Sequence, residues 1–158
     1  TPTPGTSAPE TPRSPSPTTP PPSGGSSSGS EDPAETAEAE VLRLVNAERA
    51  RAGCSPLVHD SALGRLARDF SRDMANRSFF SHTDPDGRSP WDRASAAGIG
   101  NLGGENIARG QQSAASVMES WMNSEGHRAN ILNCDFRTLG VGVHSGPGGP
   151  WWTQNFGY

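Results

Sequence analysis

The chain contains no lysine: all thirteen of its basic residues are arginine, set against seventeen acidic ones for a formal net charge of −4. An all-arginine set reads as GC-rich coding rather than as function, and no basic block occurs anywhere in the sequence. Nucleic acid is therefore excluded as a partner class, because binding it needs a positive footprint that displaces counterions. Long apolar runs are missing too, so no stretch reads as a membrane span. The sequence opens on Thr1 rather than methionine, which reads as a processed or trimmed chain with any leader or anchor out of view.

The common catalytic signatures are also missing. There is no His-Glu-x-x-His helix, no Gly-x-Ser-x-Gly elbow and no phosphate-binding glycine motif. Gly100-Asn-Leu-Gly-Gly-Glu-Asn106 is rich in glycine, but it has no lysine and lacks dinucleotide spacing. Cysteine is scarce: Cys54 and Cys134 stand alone, 80 positions apart.

What is present begins with a biased segment. The first 30 residues hold nine prolines and fourteen serines or threonines, and cannot bury enough apolar surface to offset the entropy of ordering. Residues 1–31 are expected to form an extended, disordered Pro/Ser/Thr-rich linker that holds a domain of residues 32–158 away from a surface. A tail of this composition suits an exported protein, and in that compartment Cys54 and Cys134 are expected to pair rather than remain buried thiols.

Within residues 32–158 the punctuation is helical first. Asp32-Pro33-Ala34-Glu35 reads as a capped helix start, with Val41, Leu42, Leu44 and Val45 as its apolar face and Gly53 as its stop. Asp60 opens a second helix to about Arg77, with Leu63, Leu66, Ala67, Phe70 and Met74 at three- and four-residue intervals. Ser89-Pro90-Trp91-Asp92 caps a third ending at Gly98, and Ser113 caps a fourth ending near Met122. Gly126 is expected to break the chain there and leave His127 in a re-aimed loop. From Leu139 the period becomes two: Leu139, Val141 and Val143 alternate with Gly140, Gly142 and His144, and Trp152–Phe156 alternates after a Gly/Pro turn. Helices first and a hairpin last predict an α+β fold, helices covering a small antiparallel sheet.

Four histidines remain as chemistry. His59 and His144 read as surface or rim positions. His82 and His127 each follow a helix and an apolar anchor in segments able to converge, and two neutral imidazoles with a carboxylate and water suit zinc-like coordination. Each can equally bond to backbone in its own loop, and spacing alone favours that simpler role.

Six motifs in order carry a resemblance: Phe80-Ser-His82, Gly104-Glu-Asn-Ile-Ala108, Trp121-Met-Asn-Ser124, Gly126-His-Arg-Ala-Asn-Ile-Leu132, Gly140-Val-Gly-Val143 and Trp152-Thr-Gln-Asn-Phe-Gly157. From about residue 36 to 158 the chain resembles a bacterial member of the CAP superfamily of cysteine-rich secretory, antigen 5 and pathogenesis-related proteins. The resemblance implies a three-layer α-β-α sandwich, secreted or attached to the cell envelope through the missing N-terminus. It also implies a central cleft in which His82 and His127 bind Zn²⁺ or another divalent cation beside Glu105. A second cleft acid in eukaryotic relatives falls near Ser124 here, and Glu125 next to it either substitutes for that acid or points to solvent. Ser124 and Gln154 are cleft-lining candidates, Gln154 alternatively lying at a sheet edge. Trp121 and Trp152 are expected in the core, with Arg128 and Asn130 fixing the loop through hydrogen bonds. The leading expectation is a non-catalytic module presenting a partner surface, with a cell-wall or lipid ligand in view. The alternatives are a metal-assisted peptidase with Glu105 activating water and a lipid- or sterol-binding module.

Overall fold

The computed structural model describes residues 32–158, and the expected linker of residues 1–31 lies outside them. Among the described residues five helices and four strands follow one another in chain order. Helix α1 spans Pro33–Ala52, strand β1 Val58–His59, α2 Ser61–Asn76 and α3 Pro90–Ala96. Strand β2 spans Leu102–Arg109, α4 Ala114–Met122, α5 Glu125–Ile131, β3 Thr138–His144 and β4 Trp151–Gly157. None of these helices is long and apolar enough to cross a membrane.

The caps act as their residue types dictate. Asp60 accepts from Leu63 N, Ser113 accepts from Ser116 N, and Ser89 and Asp92 bond each other's backbone N–H in a full capping box. Gly53 and Gly98 close α1 and α3 at φ of 83° and 77°, where a Cβ would be strained.

The strands form one sheet in the order β1-β3-β4-β2, with α2 and α3 on one face and α1, α4 and α5 on the other. This is the three-layer α-β-α sandwich. The β3–β4 and β4–β2 pairings are antiparallel, but β1 pairs with β3 in parallel, so the sheet is mixed rather than wholly antiparallel.

Leu139, Val141, Val143, Trp152 and Phe156 pack toward Val41, Val45, Val117 and Trp121 in the main core. On the opposite face Gly140 and Gly142 let α2 lie directly on the sheet: a Cβ on either would stand 2.1 and 2.2 Å from α2 backbone atoms. The alternation that reads as apolar-in, polar-out is thus apolar toward one helix layer and bare backbone toward the other.

Strand β2 was not legible as a strand. Six of its eight residues are buried, so no solvent face exists to produce alternation. It is an edge strand, and side chains cover its outer carbonyls: Trp91 Nε1 donates to Leu102 O at 3.0 Å, Trp121 Nε1 to Ile107 O at 3.0 Å and Asn130 Nδ2 to Glu105 O at 3.4 Å. Edge-to-edge pairing is blunted by these caps. Trp121 and Trp152 are core residues, 1% and 2% exposed.

Cys54 and Cys134 form a disulfide with Cα atoms 4.9 Å apart, joining the end of α1 to the segment after α5. Beside it, Arg49 is fully buried with no carboxylate partner in its hydrogen bonds. Its guanidinium donates instead to the carbonyls of Ser55, Ile131, Asn133 and Phe136 at 2.8–3.2 Å. Burial, with the charge of Arg137 in support, lowers its pKa.

Candidate functional site

Strand β2 builds the site by alternation. Successive side chains point to opposite faces, so Glu105 meets residues of α3 and the loop before it, and Asn106 meets α5. Around these two neighbours the structure assembles two hydrogen-bonded groups, one holding His82 and one holding His127.

His82 lies in the connection between α2 and α3. That connection is tied internally by Asp84, which is 3% exposed and accepts from Asp86 N, Arg88 N and Arg88 Nε at 2.9–3.0 Å. Burial raises the Asp84 pKa, but the backbone and guanidinium bonds from Arg88 outweigh it and hold the carboxyl below its ordinary range. Gly87 supplies the left-handed turn at φ 84°.

The Glu105 side chain is only 2% exposed, and His82 Nδ1 lies 2.9 Å from its Oε1. A carboxylate can only accept, so the proton sits on Nδ1 and the lone pair of a neutral ring is on Nε2. Arg93 NH1 donates to Glu105 Oε2 at 3.2 Å, and its NH2 donates to the carbonyl of His82. The same guanidinium lies 3.4 Å from the ring centroid of Phe70. With its amide turned so that both ends find partners, Asn155 also donates to Glu105 Oε2, at 3.2 Å. Nothing in the sequence marks Arg93: an Arg at the fourth residue of a seven-residue helix carries no local signal, and its role exists only once α3 lies beside β2.

On the other face of β2, Asn106 Nδ2 donates to His127 O at 3.1 Å and to Gln154 Oε1 at 3.0 Å. Asn130 Nδ2 donates to Asn106 Oδ1 at 2.9 Å, closing an Asn130–Asn106–Gln154 chain. Gln154 is fully buried on β4, an interior strand, which overturns the sheet-edge alternative. His127 stands in α5 rather than in a loop, because the break falls at Asn123 and Ser124 and Gly126 is helical. Arg128 NH1 donates to Met122 O at 2.8 Å and clamps this α4–α5 junction.

Burial, then the proximity of His82, lowers the His127 pKa, so the ring is neutral at neutral pH. His127 Nδ1 and Gln154 Nε2 are both buried without a hydrogen-bond partner. Ser124 caps α5 by position but makes no side-chain cap bond, and Glu125 is exposed at the first residue of that helix. Among the described residues no group of three His, Cys, Asp or Glu side chains is placed to hold a metal ion.

The model of the CAP family, described as the cysteine-rich secretory protein family, matches residues 42–156. Two proteins of Bacillus subtilis (strain 168) are similar. YkwD is 46% identical over 121 residues, 75% of this chain and 46% of that protein. The membrane protein YlbC is 36% identical over 122 residues, 77% of this chain and 34% of that protein. A crystal structure of an extracellular protein containing a SCP domain from Bacillus anthracis str. Ames superposes with a TM-score of 0.75 at 32% identity, covering 85% of this chain and 45% of that one. The chain thus spans less than half the length of each of these relatives. On the family match and these identities, the chain belongs to the CAP, or cysteine-rich secretory protein, family.

Proposed function

We propose that this domain works outside the cell as a non-catalytic module whose cleft takes a divalent ion such as Zn²⁺ on His82 and His127 and presents a surface to a ligand or partner. The observation that carries the reading is the state of Glu105. Both its oxygens are engaged, one by His82 and one by Arg93, and its side chain is 2% exposed. A general base must reach a substrate proton directly or through one water, and a buried carboxylate held by a guanidinium is poorly placed for it. The same bond orients His82 as a carboxylate–histidine pair does in metal sites, with Nε2 left as donor.

Two features support a two-histidine site. Burial and His82 hold the His127 pKa below its ordinary value, which favours the neutral imidazole that a metal ligand must be, and its Nδ1 has no hydrogen-bond partner in the protein. A bound ion would supply a local positive, Lewis-acidic centre. The peptidase alternative would require hydrolysis that disappears in Glu105→Ala. The lipid alternative needs an apolar groove, and the cavity of about 370 Å³ between α1 and β3 is lined by Glu35, Glu38, His59 and Arg68 as well as apolar residues. An extracellular setting is supported by the disulfide, which persists in oxidising compartments, and by the Bacillus anthracis relative described as extracellular.

Calorimetric titration of the chain with Zn²⁺ tests the proposal. One site per chain is expected, lost in His82→Ala and in His127→Ala and weakened roughly 10- to 100-fold in Glu105→Gln, the usual cost of losing an outer partner. Acidification should release the ion, because protons compete with it for the ligand nitrogens. Binding that survives both histidine substitutions would refute the assignment.

A further inference from the structure

A groove of about 620 Å³ runs between α2 and α3 and the loop that joins them; neither histidine of the cleft nor Glu105 lines it, and Arg93 is the residue it shares with their site. Its volume falls within the roughly 300–1,000 Å³ typical of ligand pockets. Arg72, Arg77, Arg88 and Arg93 line it, together with three aspartates. Each of these arginines is already paired: Arg72 with Asp69 at 2.6 Å, Arg77 with Asp73 at 2.7 Å and Asp86 at 2.8 Å, Arg88 with Asp84 at 2.9 Å, Arg93 with Glu105 at 3.2 Å. The inner wall is Arg93, 7% exposed, whose Nε is buried and has no partner. Leu66, Ala96 and Ala97 supply apolar lining between the charged groups.

This charge pattern selects the ligand. A phosphate or sulfate entering the groove meets guanidiniums whose charge is already offset, at Arg72 and Arg77 by aspartates of the groove itself and at Arg88 and Arg93 by the buried Asp84 and Glu105 behind them, and a cation meets carboxylates offset in the same way, so neither gains a large net field. A neutral molecule with many hydroxyls gains from both, because the pairs hold donors and acceptors side by side in fixed geometry while the apolar lining takes C–H surface. Pre-paired side chains also lose little rotamer freedom on binding. We propose that the α2–α3 groove is a binding site for a neutral, hydroxyl-rich oligosaccharide.

The proposal stands apart from the metal reading, and its test separates them. Backbone amide NMR of the full chain would be followed while chitotriose, a neutral trisaccharide with hydroxyl and acetamido groups, is added, and in parallel while tripolyphosphate is added. Saturating shifts with a Kd of about 1–10 mM are expected from chitotriose alone, confined to the α2 residues from Leu66 onward and to residues 84–97. Ala96→Trp, which fills the groove from an exposed position, and Asn76→Ala, which removes an amide that lines the groove at the end of α2, should each weaken binding, Ala96→Trp by at least about tenfold, or 1.4 kcal/mol. His82→Ala should bind chitotriose as wild type does. Amide shifts remote from the groove report that each variant is folded. Unsaturated or absent shifts with chitotriose, shifts at the groove with tripolyphosphate instead, or unchanged binding by folded Ala96→Trp would each overturn the proposal.

Discussion

His127 shows how a single side chain ties pH to stability. Its folded pKa lies below the ordinary imidazole value because burial and His82 both oppose its charged form. The unfolded chain therefore binds the proton first as pH falls through about 6.5, and the native state loses stability from there down to the folded pKa, below which the loss is complete. Denaturation at pH 7.5 and pH 5 should show that decline, and His127→Gln should reduce it. Arg49 is the other residue whose worth lies in its partners. Arg49→Leu would leave four carbonyls short of a donor, and urea unfolding is expected to show a loss of about 3–5 kcal/mol. Neither residue announces this in the sequence. Arg49 sits at the end of an ordinary helical pattern, and the carbonyls it reaches, at Ile131, Asn133 and Phe136, lie more than 80 positions away.

At the scale of elements, the decisive contact is α2 against β3. A Cβ at position 140 would fall 2.1 Å from Gly64 N, and one at 142 would fall 2.2 Å from Arg68 N. Backbone cannot yield as a flexible side chain does, so Gly140→Ala and Gly142→Ala should each destabilise by about 3 kcal/mol or more, the upper end of overpacking. Gly126 is the contrasting case: nothing lies within 4 Å of its Cβ position, and it is helical. Gly126→Ala should be neutral or stabilising by up to about 1 kcal/mol. Thermal melts of the three variants distinguish glycines that admit a neighbour from one that only loosens a helix. The helix starts at Asp60, Ser89 and Ser113 were legible because a cap is a local hydrogen bond between a residue and its third neighbour. The short helix carrying His127 was not, since seven residues with a glycine at the second position give too little periodicity to register.

The domain of the described residues is cross-linked by the disulfide across the 80-residue separation between Cys54 and Cys134. Thiol titration of the native chain should find no free thiol, and the Cys54→Ala/Cys134→Ala double variant should unfold with about 2–5 kcal/mol less stability. Loss of the pair should leave the His82–Glu105 contact intact, because that contact lies between the α2–α3 loop and β2, away from the bridge.

Composition and local pattern alone determined the helix caps, the α+β class, the terminal hairpin and the expectation of a disulfide, since each depends on neighbours in sequence or on the medium. The ordered motifs added the family and marked His82, His127 and Glu105. Tertiary structure alone decided the rest: that β2 is a strand, that Arg93 holds Glu105 and the His82 carbonyl together, that Gln154 is interior, and that His127 rides a helix. These follow from which layers meet across the sheet. A residue buried on both sides carries no alternation, and an ion pair between α3 and β2 has no spacing to read.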